Sequence, residues 1–133
     1  MTQRLNIGLV AHDSKKDDLV KWCQKHSAFF LHHALWATGT TGSRIKAANP
    51  DFDITLLKSG PLGGDQQLGA KICEQELDIL FFFTDPMTPM PHDVDVKALI
   101  RLSTLYDIPM ACNKGTADLI IQALKIENEY KHF

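Results

Sequence analysis

Five short apolar runs recur at regular intervals along this chain, separated by stretches with helical character. Each run is nearly continuous in apolar residues, which is typical of strands buried on both faces of a parallel sheet. Parallel neighbours need long crossover connections, and the intervening segments are long enough to supply helices. The runs cover residues 5–11, 34–37, 54–57, 79–83 and 108–111. The pattern predicts one α/β domain over residues 1–133, with three layers and about five parallel strands flanked by helices.

The connecting segments carry apolar residues at helical spacing, which predicts a helix in each crossover. In the first segment this spacing begins at Leu19 and continues to Phe30, with Ser14 as the expected N-cap. In the fourth segment Asp93 is the expected cap, and a weaker last helix should begin near Thr116. The buried face of the fourth helix is expected to comprise Leu99, Leu102, Leu105 and Tyr106.

Composition narrows the functional classes. The chain has 133 residues and a formal net charge of −2, so it lacks the basic excess of a nucleic-acid binder. Its longest apolar runs fall far below the ~20 residues of a membrane-spanning helix, and its first residues lack a secretory signal. Cys23, Cys73 and Cys112 each lie in apolar sequence and are expected to be buried, reduced thiols. These features predict a cytoplasmic domain without disulfides.

Polar or glycine-rich segments follow the five runs. In a parallel sheet, ligands bind outside the carboxyl ends of the strands, where the strand order reverses. Because these ends meet at one edge of the sheet, we expect the segments to form a single site. They supply the candidate site residues His12, Asp13, Lys16, Thr38, Gly39, Thr40, Thr41, Ser59, Gly60, Asp65, His92 and Asp95.

The sequence TGTTG at positions 38–42 joins the second run to a helix. Glycine lets a ligand approach the backbone, hydroxyls can donate hydrogen bonds, and a helix N-terminus offers free N–H groups to an anion. A tight turn capped by threonine is the alternative. Ser59 and Gly60 after the next run, together with Lys16, favour a phosphate site. The loop matches neither GxxxxGK[ST] nor GxGxxG, which argues against nucleotide triphosphates and dinucleotides.

The segment SGPLGGDQQ at positions 59–67 leads into a helix expected over about residues 65–75. An aspartate at a helix start is most often a cap that satisfies free N–H groups. The alternative for Asp65 is a carboxylate held over the crevice as a general base. The local sequence leaves both interpretations open.

The segment PHDVD at positions 91–95 places His92 beside Asp93 and Asp95. With His12 and Asp13 these residues could form a divalent-metal site, because histidine and aspartate are common ligands. The chain lacks an HExxH pair, and Asp93 is well explained as a cap. We therefore interpret His92 as a hydrogen-bond donor or acid at the ligand and expect no metal.

The combination of LVAHD-x-x-K, ATGTTG, SGPLGGDQQ-x-GA and DP…PHD-x-DVKAL-x-R-L resembles the methylglyoxal synthase family from Leu9 to about Gln122. The resemblance implies a cofactor-free enzyme, usually a homohexamer, that converts dihydroxyacetone phosphate to methylglyoxal and inorganic phosphate. Phosphate is then both product and expected inhibitor. Many relatives carry a longer, arginine-bearing tail, whereas this chain has no arginine after Arg101. Functions that depend on that tail are not carried over.

The resemblance also assigns roles. It implies that Asp65 is the catalytic base and that Asp13 and Asp95 are supporting acidic groups. His92 is implied both in catalysis and in binding. The implied substrate contacts are His12, Lys16, Thr38, Gly39, Thr40, Thr41, Ser59, Gly60 and His92.

Three other functions compete with this interpretation. An anion-sensing regulatory domain, similar to the allosteric domain of carbamoyl phosphate synthetase, would need the phosphate-binding loops but no base. The presence of Asp65, His92 and His12 together favours the enzyme. A phosphorylation receiver domain would need an aspartate at the third strand end, where Ser59 stands. A metal-dependent hydrolase would lose activity to a chelator.

Overall fold

The computed structural model describes residues 4–87 and 96–130, with side chains up to residue 125. Five parallel strands form one sheet. The strands are β1 (Asn6–Ala11), β2 (Ala34–Thr38), β3 (Asp53–Leu57), β4 (Ile79–Phe83) and β5 (Met110–Ala111). Their order across the sheet is β3-β2-β1-β4-β5. The predicted parallel sheet is confirmed.

Helices cover both faces of the sheet, so the predicted three layers are also confirmed. The helices are α1 (Lys16–Lys25), α2 (Ser27–Phe30), α3 (Gly39–Ala48), α4 (Gly64–Cys73), α5 (Val96–Leu105) and α6 (Lys114–Tyr130). From β1 the chain adds β2 and then β3 on one side. It then returns to the other side of β1, where it adds β4 and then β5. Right-handed crossovers therefore place α1 and α3 on one face and α4 and α5 on the other. Helix α6 returns to the face of α1, where Ala117 and Ile121 are buried.

Each face has its own apolar cluster. Trp22 of α1 lies at the centre of the first, with its ring centroid 5.0 Å from that of Phe81 and 5.4 Å from that of Phe30. The Trp22 indole N–H donates to Asp118 of α6 at 2.7 Å, and this bond holds the pKa of Asp118 below its usual range. Full burial of an apolar side chain such as that of Phe81 contributes about 1.5–3 kcal/mol to the free energy of folding. The second cluster lies under α4 and α5 and includes Val10, Leu68, Ile72, Phe82 and Leu99.

Two strands differ from the prediction. Strand β3 was expected to be buried on both faces, but Thr55 and Leu56 are exposed. The strand order explains this, because β3 is an edge strand and only part of its surface is covered by helices. Strand β5 is two residues long rather than four. Pro109 has no N–H to donate to the sheet, although its carbonyl accepts a bond from Leu80.

The helices also correct some local predictions. Ser14 is not the N-cap of α1, which begins at Lys16; its hydroxyl donates to Asp85 at 2.5 Å instead. The expected continuous helix ends at His26, and Phe29 and Phe30 belong to the separate α2. The predicted buried face of α5 holds for Leu99, but Leu105 and Tyr106 are exposed. The last helix begins at Lys114, two residues before the predicted start. The expected cap Asp93 lies outside the described residues.

All three cysteines are free thiols. Cys23 is buried, which raises the pKa of its thiol, and Cys112 is half-buried. The expectation of burial is wrong for Cys73. Ile72 faces the core from α4, and the next residue along a helix points about 100° away, here into solvent. Within the described part of the chain, no helix is long and apolar enough to cross a membrane.

Candidate active site

The strand order reverses between β1 and β4, because the chain moves outward from β1 to β3 and then returns to pair β4 with β1. This is the position at which open α/β sheets bind ligands. Along the carboxyl edge, the residues that end β3, β2, β1, β4 and β5 therefore form one row. All five segments that follow the predicted strands enter this row, although residues 88–95 of the fourth segment lie outside the described residues.

His12 follows β1 directly and lies at the point of reversal. Its backbone N–H donates to the carbonyl of Phe83 at 3.1 Å, and its ring meets Phe82 edge-on. The backbone N–H of Asp85 lies 2.8 Å from Nδ1 of the buried His12 ring. Because a backbone amide can only donate, Nδ1 is the acceptor. With Nδ1 as the acceptor, a neutral imidazole carries its proton on Nε2.

Asp13 and Lys16 form an ion pair at the start of α1. The Lys16 ammonium lies 2.8 Å from the Asp13 carboxylate, and the lysine side chain is largely buried while that of Asp13 is exposed. This places the ammonium at the carboxyl edge, one turn after His12. The neighbouring Ser14 is tied to Asp85, so the segments after β1 and β4 are joined twice. Asp85 is not among the predicted site residues, although its place directly after the fourth apolar run is a usable signal.

The ends of β2 and β3 pack backbone against backbone. Gly39 has φ +26°, and a Cβ there would lie 2.8 Å from Cα of Ser59. A Cβ at Gly64 would lie 1.9 Å from the carbonyl oxygen of Lys58 and 3.0 Å from a methyl group of Thr38. No side chain fits at either position. The glycines predicted to permit close approach therefore bring the TGTTG and SGPLGGD segments into direct contact.

Three threonines occupy different environments at the start of α3. Thr38 is the N-cap residue and is buried, but its side chain makes no capping hydrogen bond, so capping by threonine is not what this loop does. Thr40 is exposed. Thr41 is 1% exposed, and its hydroxyl has no hydrogen-bond partner among the described residues. A buried hydroxyl left unsatisfied costs about 1–3 kcal/mol, so the fold leaves a polar group here that a ligand or water could satisfy.

Ser59 and Gly60 lie at the turn between β3 and α4. The Ser59 carbonyl accepts hydrogen bonds from the N–H groups of Leu62 and Gly64, at 3.0 and 2.9 Å. Gly60 begins a single 3₁₀ turn, which ends at Gly63 with φ +102°. These bonds fold the segment back on itself. As a result the start of α4 lies beside the end of β3.

Asp65 is the second residue of α4 and is half-buried. The N-cap is Gly63, and no side chain caps this helix. Within residues 4–87 and 96–125, the Asp65 carboxylate makes no hydrogen bond and no ion pair. Of the two interpretations left open by the sequence, the capping role finds no support. Asp65 lines a groove of about 240 Å³ between α4 and α5, together with Gln66, Gly69, Ala98, Leu99 and Leu102.

The predicted residues fall into two connected groups. His12, Asp13 and Lys16 lie at the end of β1. The residues at the ends of β2 and β3 are Thr38, Gly39, Thr40, Thr41, Ser59, Gly60 and Asp65. His92 and Asp95 lie outside the described residues. Among the residues that the structure does describe, no group of three His, Cys, Asp or Glu side chains could hold a metal ion.

Comparisons with known proteins identify the family. Residues 18–112 match the MGS-like domain. The methylglyoxal synthase of Brucella ovis is 55% identical over 124 residues, which is 93% of this chain and 99% of the relative. The methylglyoxal synthase of Brucella anthropi is 56% identical over the same span.

A solved structure agrees with the sequence relatives. The crystal structure of methylglyoxal synthase from Elizabethkingia anophelis NUHP1 superposes with a TM-score of 0.85 at 53% identity, covering 89% of this chain and 77% of that one. On sequence and fold together, this chain belongs to the methylglyoxal synthase family.

Proposed function

We propose that this chain is a carbon–oxygen lyase that converts dihydroxyacetone phosphate to methylglyoxal and inorganic phosphate. The observation that carries the proposal is the position of Asp65. Its carboxylate caps no helix, and the start of α4 holds it beside the ends of β2 and β3. A regulatory anion sensor needs the phosphate-binding loops but has no use for such a base. The enzyme relatives named above support the same choice.

The first step is removal of a proton from the hydroxymethyl carbon next to the ketone. Asp65 takes this proton, and the electron pair of the C–H bond forms the enediolate. His12, with its proton on Nε2, can donate a hydrogen bond to an oxygen on which negative charge develops. His92 is proposed to share this role by resemblance. Asp13 and Asp95 are proposed as supporting acidic groups.

The second step is loss of phosphate from the enediolate. The enediolate electrons move to expel the phosphate, breaking its C–O bond, and the resulting enol takes up a proton at carbon to give the methyl group of methylglyoxal. The atoms of the substrate are then fully divided between methylglyoxal and phosphoric acid. Lys16 offers an ammonium group to the departing phosphate, and Thr41 offers a buried hydroxyl. Further contacts are proposed for Thr38, Gly39, Thr40, Ser59 and Gly60.

Helix N-termini support the same assignment for the phosphate. Helices α3 and α4 both begin at this edge, and no side chain caps either of them. Apart from the Gly64 N–H, which donates to the Ser59 carbonyl, their first backbone N–H groups are therefore available to an anion, and the helix dipoles favour negative charge there. Inorganic phosphate should compete with the substrate, since it would occupy the same contacts.

We propose a homo-oligomer, a homohexamer by family resemblance, as the working form in the cytoplasm. Exposed apolar side chains support association, notably Leu56 on the edge strand β3 and Leu62 beside the site, which are 52% and 73% exposed. Isolated exposed leucines are common on monomers, but an edge strand is open to pairing. Light scattering coupled to size-exclusion chromatography would give the number of subunits.

The test of the proposed function is a product assay. Purified protein is incubated with dihydroxyacetone phosphate, and the α-dicarbonyl product and free phosphate are measured together. We expect equal amounts of the two products, with full activity after exhaustive treatment with EDTA and without any added nucleotide, flavin or nicotinamide. Activity that is lost in EDTA and restored by one divalent ion would contradict the cofactor-free mechanism. Phosphate binding without any turnover would favour the anion sensor.

A further inference from the structure

A second cavity opens at the carboxyl edge, beyond the site described above. It has a volume of about 380 Å³ and lies between α1 and α6, outside the ends of β4 and β5. None of its lining residues belongs to the proposed active site. They include Lys15, Lys21, Trp22, Lys25, Phe83 and Lys114.

The charge of this cavity contrasts with that of the whole chain. The chain carries a net charge of −2, yet four lysines and a single aspartate line the cavity. In the described part of the structure, none of these four lysines forms an ion pair. Like charges gathered around one concave space repel one another, and an anion placed among them would relieve that repulsion.

The remaining walls offer both apolar and polar contacts. Trp22 and Phe83 form the apolar floor of the cavity, where they are 2% and 3% exposed, and Trp22 is fixed by its hydrogen bond to Asp118. Asn113 accepts a bond from the N–H of Thr116 at 2.9 Å, so its side chain caps the start of α6. The cavity is much larger than a phosphate ion and has the size of a small-molecule site. An occupant that fills it needs an organic body as well as negative charge.

We propose that this cavity is a second anion site, which binds a small organic phosphate through its lysines, with the organic part of the ligand over the floor that Trp22 and Phe83 form. Binding at this site can be tested independently of the proposed reaction, because it is measured without turnover. A phosphorylated metabolite other than the substrate would then bind at the same edge of the sheet as the substrate.

The chain has two tryptophans, which makes the test specific. Trp22 lies in the cavity wall, whereas Trp36 lies on β2 beneath the ammonium of Lys71. Each indole N–H gives its own signal in a ¹H–¹⁵N NMR spectrum. On titration with phenyl phosphate, we expect the Trp22 signal to shift saturably while that of Trp36 stays in place. Inorganic phosphate should need a concentration about tenfold higher, because it cannot bury an apolar ring.

Charge-matched variants separate this site from the active site. Lys21→Gln/Lys25→Gln should raise the half-saturating concentration of phenyl phosphate at Trp22 about tenfold. The backbone amide signal of Gly39, which reports on the proposed active site, should respond as in wild type. Lys46→Gln/Lys97→Gln removes the same amount of charge elsewhere. It should change the half-saturating concentration at Trp22 by less than about twofold. An unmoved Trp22 signal, or equal effects of the two double variants, would overturn the proposal. Normal binding at Trp22 in a protein without synthase activity would overturn only the proposed function.

Discussion

The two halves of the carboxyl edge are built in different ways. At the ends of β2 and β3, backbone packs directly against backbone through Gly39 and Gly64. At the ends of β4 and β5, a cavity has four lysines among its ten lining residues. The first half is set by main-chain packing, which leaves little room for alternative positions. The second presents positive charges on long side chains, which favour an anion through electrostatics rather than through a fixed geometry. The first arrangement suits chemistry, and the second suits binding.

The largest expected effect lies in the first half, at Asp65. Asp65→Asn should reduce turnover by about two to four orders of magnitude, as expected for loss of a general base, while phosphate still binds. Stability should change by about 1 kcal/mol or less, because the side chain caps no helix. Steady-state kinetics and thermal melting measure both effects.

Asp17 provides the matched control, since it is the second residue of α1 as Asp65 is of α4. Asp17→Asn removes an exposed ion pair with Arg44 and should leave turnover unchanged. A similar loss of turnover in both variants would show that charge at helix starts matters, rather than a base at Asp65.

A smaller effect should separate the glycines of the two halves. Gly39→Ala places a Cβ against the backbone of Ser59 at positive φ, so we expect the free energy of unfolding to fall by about 1–3 kcal/mol. Gly115 lies in the first turn of α6, where the nearest atom to a new Cβ is 3.4 Å away. Gly115→Ala should be neutral or stabilise the protein by up to about 1 kcal/mol. Chemical denaturation measures both, and equal losses would refute the contrast between the halves.

The smallest expected effect concerns the buried hydroxyls. Thr41 and Ser103 both carry a buried hydroxyl without a partner among the described residues. Thr41→Val should lower kcat/KM about tenfold, because the hydroxyl would be lost to the substrate, with stability unchanged or slightly raised. Ser103→Ala, on the opposite face in α5, should leave kcat/KM unchanged. Wild-type kinetics for Thr41→Val would remove this threonine from the phosphate contacts.

The sequence allowed the sheet to be predicted because its strands follow from patterns along the chain. Apolar runs such as Ile79–Phe83 identify strands, and polar segments after them identify the carboxyl edge. Exposure was harder to predict. Leu56 and Leu105 are apolar residues at strand and helix spacing, yet both are exposed. Their exposure depends on which elements pack against them, and this follows from the strand order.

Contacts between distant segments could not be predicted either. The bond from the Asp85 amide to His12, which sets the proton on Nε2, joins residues 73 positions apart. The lysines of the second cavity come from α1 and from the start of α6, and only the fold brings them together. In contrast, the close approach of Gly39 to Ser59 was signalled by the density of glycine in both loops.

The most direct test of the central claim follows the hydroxymethyl hydrogens of dihydroxyacetone phosphate by NMR in D₂O. Wild type should remove one of these hydrogens as it forms methylglyoxal, and the methyl group of the product should contain one deuterium from the solvent. Asp65→Asn, folded and still able to bind phosphate, should leave the C–H bonds of the substrate intact over the same period. Removal of that hydrogen by Asp65→Asn at the wild-type rate would contradict the account and assign the proton transfer to another base.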